Sequence, residues 1–332
     1  MFKRFVNQCT IELTITPAGP ILIKSGKEGA DPTKPDMEFV ETYHGGGRTI
    51  YLPGSSLKGA IRAHAERIVR TVGSDRRPDN STTVWASDPL SDDKEEQKNI
   101  NLYLDNWKKK NKNHPHPGAE LYKQSCFISQ MFGNTAIASR VRIEDAYPVN
   151  PKQLKIEARN GVAIDRVFGS VIPGALFNYE VCTAGEFHTK IHLRNFTLAQ
   201  LGLIGLVLRD LNQGWFGLGF AKSRGLGLVE VKLNSAIVQY PGCVIKDEQI
   251  SAIAQQKKWP LTSLLGAGMF LEDEERSRYD FPANELKETS PKTTPMEFNF
   301  GVQQSWEGSE KVRELFSQTV EAWCQILQGT AA

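Results

Sequence analysis

Cysteine is sparse in this sequence: Cys9, Cys126, Cys182, Cys243 and Cys324 are scattered through 332 residues, odd in number and without a C-x-x-C pair. That spacing argues against a disulfide framework and fits reduced thiols, so the expected compartment is the cytoplasm. No apolar run reaches the roughly 18 residues of a membrane helix. Met1 to Val6 carries Lys3 and Arg4 with no apolar region behind them, so neither a membrane partner nor a secretory leader is expected. Charge of one sign is also missing. Lys and Arg number 40 against 38 Asp and Glu, a net +2 that does not by itself argue for nucleic acid. Two nucleotide signatures are absent as well. Gly217 and Gly219 are followed at the third position by Lys222 where the dinucleotide fingerprint needs glycine, and Lys222-Ser223-Arg224-Gly225 has the wrong order for a P-loop. No internal repeat is evident.

Hydrophobic residues make up 40% of the chain and charged residues 23%, which describes a globular protein with ample core. The stretch from Gly214 to Gly227 concentrates Gly214, Gly217, Gly219, Gly225 and Gly227 around Lys222 and Arg224, with Trp215 and Phe216 at its start. Glycine holds no side chain between two backbones. The run therefore predicts a loop that something approaches closely, and exposed N–H groups beside cations favour phosphate. A turn with no ligand is the alternative.

Residues 4 to 16 alternate and read as a strand. Lys24 to Gly47 is polar and rich in glycine and proline, a long loop by sequence. A helix follows, with Ser55 or Ser56 as its N-cap and Leu57, Ile61, Ala65, Ile68 and Val72 on one face. Its start offers free N–H groups to an anion, and Lys58 and Arg62 would extend that site. Between Gly73 and Gln124 the pattern dissolves apart from a short helix near Leu102–Lys112. There Lys108, Lys109, Lys110 and Lys112 accompany Tyr103 and Trp107, as on nucleic-acid surfaces or on a solvated loop. His114 and His116 lack partners at ligand spacing, so no metal site is expected there. Ser139–Ala146 reads as a strand and Phe177–Leu193 as a strand pair. Thr197 caps a helix to Asn212, a strand spans Leu226–Leu233, and Ser309–Gln328 forms a terminal amphipathic helix.

This order predicts an α+β fold, a ferredoxin-like (RRM-like) β-α-β-β-α-β core with long insertions. The core would occupy 1–72 and 125–235, with an insertion at 73–124 and an extension at 236–332. Four segments, read together, resemble the RAMP superfamily of CRISPR-associated proteins, in particular the backbone subunits of type III effector complexes. They are Tyr51–Arg62; Phe132-Gly133 with Ser139–Ala146; Asn160–Gly169 with Pro173–Ala175; and Gly217–Gly219 with Ser223–Gly227.

The resemblance implies a subunit that binds the phosphate backbone of a guide CRISPR RNA whatever its sequence, with target RNA and other RAMP subunits as further partners. It carries phosphate contact over to Ser55, Ser56, Lys58, Arg62, Lys222 and Arg224. Residues 154–174 become a thumb-like excursion with Arg159 and Arg166 against RNA, and Val167, Phe168 and Ile172 as apolar wedges. It also implies an aspartate in the first loop that supports Mg²⁺- or Mn²⁺-dependent cleavage of target RNA; Asp31 is preferred, with Asp36 as the alternative. Where some relatives carry a second cysteine, this chain has Ser129, so no zinc is expected. A non-catalytic structural subunit is the alternative. A metal-independent guide-processing endoribonuclease using His44 and Lys27 is a further one.

Overall fold

The computed structural model describes residues 4–26, 35–78, 83–88 and 99–329. Its strands are β1 (Gln8–Pro17), β2 (Glu41–His44), β3 (Gly47–Ile50), β4 (Val141–Ile143), β5 (Tyr147–Pro148), β6 (Lys155–Ile164), β7 (Val171–Ala184), β8 (Phe187–Arg194), β9 (Val229–Tyr240), β10 (Cys243–Lys246), β11 (Gln249–Ala252), β12 (Lys258–Pro260), β13 (Ser263–Leu265), β14 (Leu286–Glu288), β15 (Thr294–Pro295) and β16 (Val302–Glu307). Its helices are α1 (Gly54–Val72), α2 (Ile100–Lys110), α3 (Pro117–Gln124), α4 (Phe127–Phe132), α5 (Leu198–Asn212), α6 (Asp273–Tyr279) and α7 (Ser309–Gly329).

The class is α+β. One sheet runs β15-β16-β9-β1-β8-β4, with β5 also on β8, and its pairings are antiparallel. Register gives the sheet two unlike faces. Cys9, Ile11, Leu13 and Ile15 of β1 stand opposite Leu193, Ile191, Thr189 and Phe187 of β8, and all are buried. The alternate residues set Thr10 beside His192 and Glu12 beside Lys190, a polar face. The apolar side is covered by α1, α5 and α7, which pack on β4, β9 and β16 and on one another. Packed against both β9 and α7, α5 is buried nearly all round. Thr197 caps α5 as expected, in a reciprocal box with Gln200. No helix among the described residues is long and apolar enough to cross a membrane.

Several local expectations change. The first strand begins at Gln8, and within Ser139–Ala146 only Val141–Ile143 is strand. Phe177–Leu193 does hold two strands, but they do not pair: β7 pairs with β6, whereas β8 pairs with β1. Alternation marks a strand without naming its partner. The end of the Lys24–Gly47 stretch, read as loop, instead forms with residues 48–50 the β2–β3 hairpin over a Gly45-Gly46 turn in which both glycines have positive φ. The strand expected to end at Leu233 runs to Tyr240, through residue 235, and β16 then joins it in the same sheet.

A buried acid ties the extension to α5. Glu285 accepts N–H bonds from Leu198, at 3.0 Å, and Gly268, at 2.9 Å. Burial pushes its carboxyl from the ordinary 4.5 up to about 7, against the pull of those bonds. A folded value above the unfolded one means that this contribution is full below about pH 4.5 and is lost as pH rises through about 7. Stability is expected to fall across that window by up to a few kcal/mol, since each tenfold difference in proton affinity between folded and unfolded chain is worth ~1.4 kcal/mol. The Glu285→Gln variant is expected to flatten that slope in urea unfolding at pH 5 and pH 8. An unchanged pH dependence in the variant would assign the slope to other groups.

Candidate nucleic-acid interface

The excursion read as residues 154–174 is the β6–β7 hairpin, longer than expected at 155–184. Directly opposed residues share a face of a strand pair. Arg159 lies opposite Tyr179 and Gly161 opposite Phe177 on one face; Val162 lies opposite Leu176 on the other. The tip is apolar and exposed, with Val167 and Phe168 each 83% accessible and Ile172 also exposed. It is a built turn. Asp165 Oδ1 accepts the N–H groups of Val167 (2.7 Å) and Phe168 (3.0 Å), which hold its carboxyl below the usual range. Arg166 is exposed beside it, while Arg159 lies 3.5 Å from Glu157.

At the hairpin's base sits the glycine loop, and here the structure corrects the expectation. What approaches its main chain is the chain's own backbone. Phe220 N–H donates to the Leu22 carbonyl at 2.7 Å, Gly227 N–H to Pro20 at 2.9 Å, and Leu218 N–H to Gly227 at 2.8 Å. The clasp fixes Phe220. Two cations lie over that ring, Lys24 Nζ at 5.1 Å and the Arg224 guanidinium at 5.0 Å from the centroid; Arg224 also lies 6.0 Å from Phe177. Lys222 and Arg224 are exposed on a single 3₁₀ turn entered through Ala221 at positive φ. Among the described residues, Lys24, Lys222 and Arg224 make no ion pair. Basic groups interleaved with Phe177, Tyr179 and Phe220 can hold phosphates and stack bases. Sequence reasoning missed Lys24, Phe177 and Phe220, because no local pattern signals that residue 24 will meet residue 220.

The α1 group is different in kind. Neither Ser55 nor Ser56 caps the helix; both are exposed in its first turn, with Pro53 at the N-cap. Asp145 Oδ1 instead accepts the Gly54 N–H at 2.7 Å, which puts a carboxylate where an anion was expected. Lys58 Nζ donates to Ser139 Oγ (2.8 Å) and to the Val141 carbonyl (3.0 Å), and burial, then Arg62, lowers its pKa. Arg62 donates to Glu66 at 2.9 Å and to the Gly133 carbonyl at 3.2 Å. Both cations bind α1 to the segment before β4. The α2 lysines are spread between an Asp105 contact at 3.6 Å for Lys108 and exposed positions at Lys109, Lys110 and Lys112.

Asp31 and Lys27 lie outside the described residues. Asp36 is exposed, and its Oδ2 accepts the Asn178 N–H at 2.8 Å. Met37 N–H donates to Asn178 and Glu180 N–H to Met37, so this segment runs alongside β7 and carries Asp36 to the hairpin. Glu180 Oε2 also accepts the Phe39 N–H at 3.1 Å. No group of three metal-ligating side chains converges among the described residues. The second Asp36 oxygen is a hard donor, the ligand type that Mg²⁺ and Mn²⁺ take. Cys126 and Ser129 bond to each other, Sγ to Oγ at 3.2 Å, at the start of α4.

The family model described as the RAMP superfamily matches residues 14–230, which include α1, the β6–β7 hairpin, α5 and the glycine loop. No curated protein matches the chain.

Proposed function

The chain belongs to the RAMP superfamily, and from that membership we propose that it is a guide-RNA-binding backbone subunit of a type III CRISPR effector complex, with metal-dependent cleavage of the complementary target RNA. Membership itself implies a CRISPR-associated, RNA-binding protein. The ferredoxin-like reading of the core is supported by the strand order β9-β1-β8-β4, with α1 between β1 and β4 and α5 between β8 and β9. The observation that carries the functional reading is the set of cations without acid partners among the described residues, Lys24, Lys222 and Arg224, on an aromatic base below a projecting apolar tip.

Phosphate contacts position an RNA and carry no sequence information, which leaves specificity to pairing between guide and target. Phe168 and Val167, exposed at the tip, would enter between bases once the backbone is held. Asp36, or Asp31, would supply the carboxylate for a divalent ion, and the ion would supply an activated water and charge neutralisation at the scissile phosphate. What the chain itself does is hold the Asp36 carboxylate against β7, through the Asn178 bond, on the hairpin that this reading turns toward RNA.

The test is cleavage of guide-complementary RNA by the assembled complex with Mg²⁺. Asp31→Ala or Asp36→Ala is expected to abolish one cut while RNA affinity is retained, and EDTA to reproduce the loss. Full cleavage in the double variant would leave a non-catalytic structural subunit. Cleavage that survives EDTA and is lost in His44→Ala would move the activity to guide processing.

A further inference from the structure

Away from this interface, an open cleft of about 620 Å³ lies between the β2–β3 hairpin and the ends of β4, β5 and β8. His44 and Tyr147 line it, together with Arg142, Glu144, Asp145 and His188. The His44 and Tyr147 rings stack face to face, with 3.7 Å between centroids and 6° between planes. Tyr51 continues the stack 5.9 Å from Tyr147 at 16°. His44 is exposed, so the stack ends in a flat ring open to water.

The charges around that ring select its occupant. Glu144 Oε1 accepts from Arg142 at 2.6 Å and faces His192 Nε2 at 2.8 Å. Asp145 holds the Gly54 N–H at 2.7 Å and the Tyr147 hydroxyl at 3.3 Å. Two fixed carboxylates against one guanidinium repel a phosphate. They favour a flat group that carries N–H donors on its edge. Unpaired bases stack on histidine and tyrosine rings, and carboxylates accept from exocyclic amino groups such as cytosine N4. The volume suits one nucleotide. We propose that this cleft is a second RNA subsite that takes one unpaired, amino-bearing nucleobase, stacked on His44 with its amine toward Asp145 and Glu144. The inference rests on the RNA-binding reading and adds to it a place where the chain touches a base.

Short single-stranded RNAs carrying 2-aminopurine at successive positions, titrated with the full chain, test it. Quenching is expected at one position of the bound RNA, lost in His44→Ala and restored in His44→Phe. Affinity is expected to fall by roughly tenfold in His44→Ala, the scale of one base–aromatic stack. RNA bound with uniform fluorescence at every position would overturn the subsite while RNA binding stands. Failure to bind any RNA would instead overturn the RNA-binding reading, so the two failures are distinct. If His44→Ala weakens an arginine-rich peptide and leaves RNA untouched, the cleft belongs to a protein partner and the proposal falls.

Discussion

Gly219→Ala is expected to destabilise the protein by about 2–5 kcal/mol, the sum of overpacking and left-handed strain. A Cβ at Gly219 would stand 2.2 Å from the Leu22 carbonyl oxygen, an atom of the backbone that cannot swing aside. Its φ is +78°, a conformation costly for any residue with a Cβ. Relief would require separating the two segments, which breaks the 2.7 Å bond from Phe220 N–H to that same carbonyl. Gly225 is the control. Its φ is +83° but nothing lies within 4 Å of its Cβ position, so Gly225→Ala carries only the conformational cost, about 1–2 kcal/mol. Urea unfolding of the two variants measures the difference. Equal losses would mean that close backbone approach is not what this loop is built for.

The second large effect is on RNA. The Lys24→Ala, Arg224→Ala double variant is expected to bind guide RNA about 100-fold more weakly near physiological salt, about tenfold for each charge-assisted hydrogen bond to phosphate that the variant can no longer make. The slope of log affinity against log salt should flatten by about 0.7 for each phosphate no longer neutralised. The loss should be the same for unrelated RNA sequences, because a phosphate contact reads none of them. Lys58→Ala provides the contrast. Its ammonium is already spent on Ser139 and the Val141 carbonyl, so the change should lower stability and leave RNA affinity nearly unaltered. Filter binding across a salt series separates the cases. A loss of affinity in Lys58→Ala as large as in Arg224→Ala would return the start of α1 to the RNA surface.

That contrast marks where sequence reading reached its limit. Lys58 and Arg62 have the residue types and spacing of a phosphate site, and nothing within α1 reveals that residues 133–141 will use them first. Lys24 carried no signal at all, yet it shares the Phe220 ring with Arg224. The resemblance implied an aspartate in the first loop, Asp31 or else Asp36; the main-chain bonds of Met37 to β7 are what bring Asp36 to the hairpin.

By itself the sequence determined the local elements. The Thr197 cap and box on α5, the amphipathic stripe of α7, the alternation of β1 and the basic end of α2 each follow from spacing within a few residues, where the chain's own geometry decides. Tertiary structure alone decided which strand β7 would pair with, that the extension would continue the same sheet through β16, and which cations would be left without an acid partner among the described residues. Those outcomes depend on surfaces far apart in the chain meeting in a packed core, and no local periodicity records which surfaces will meet.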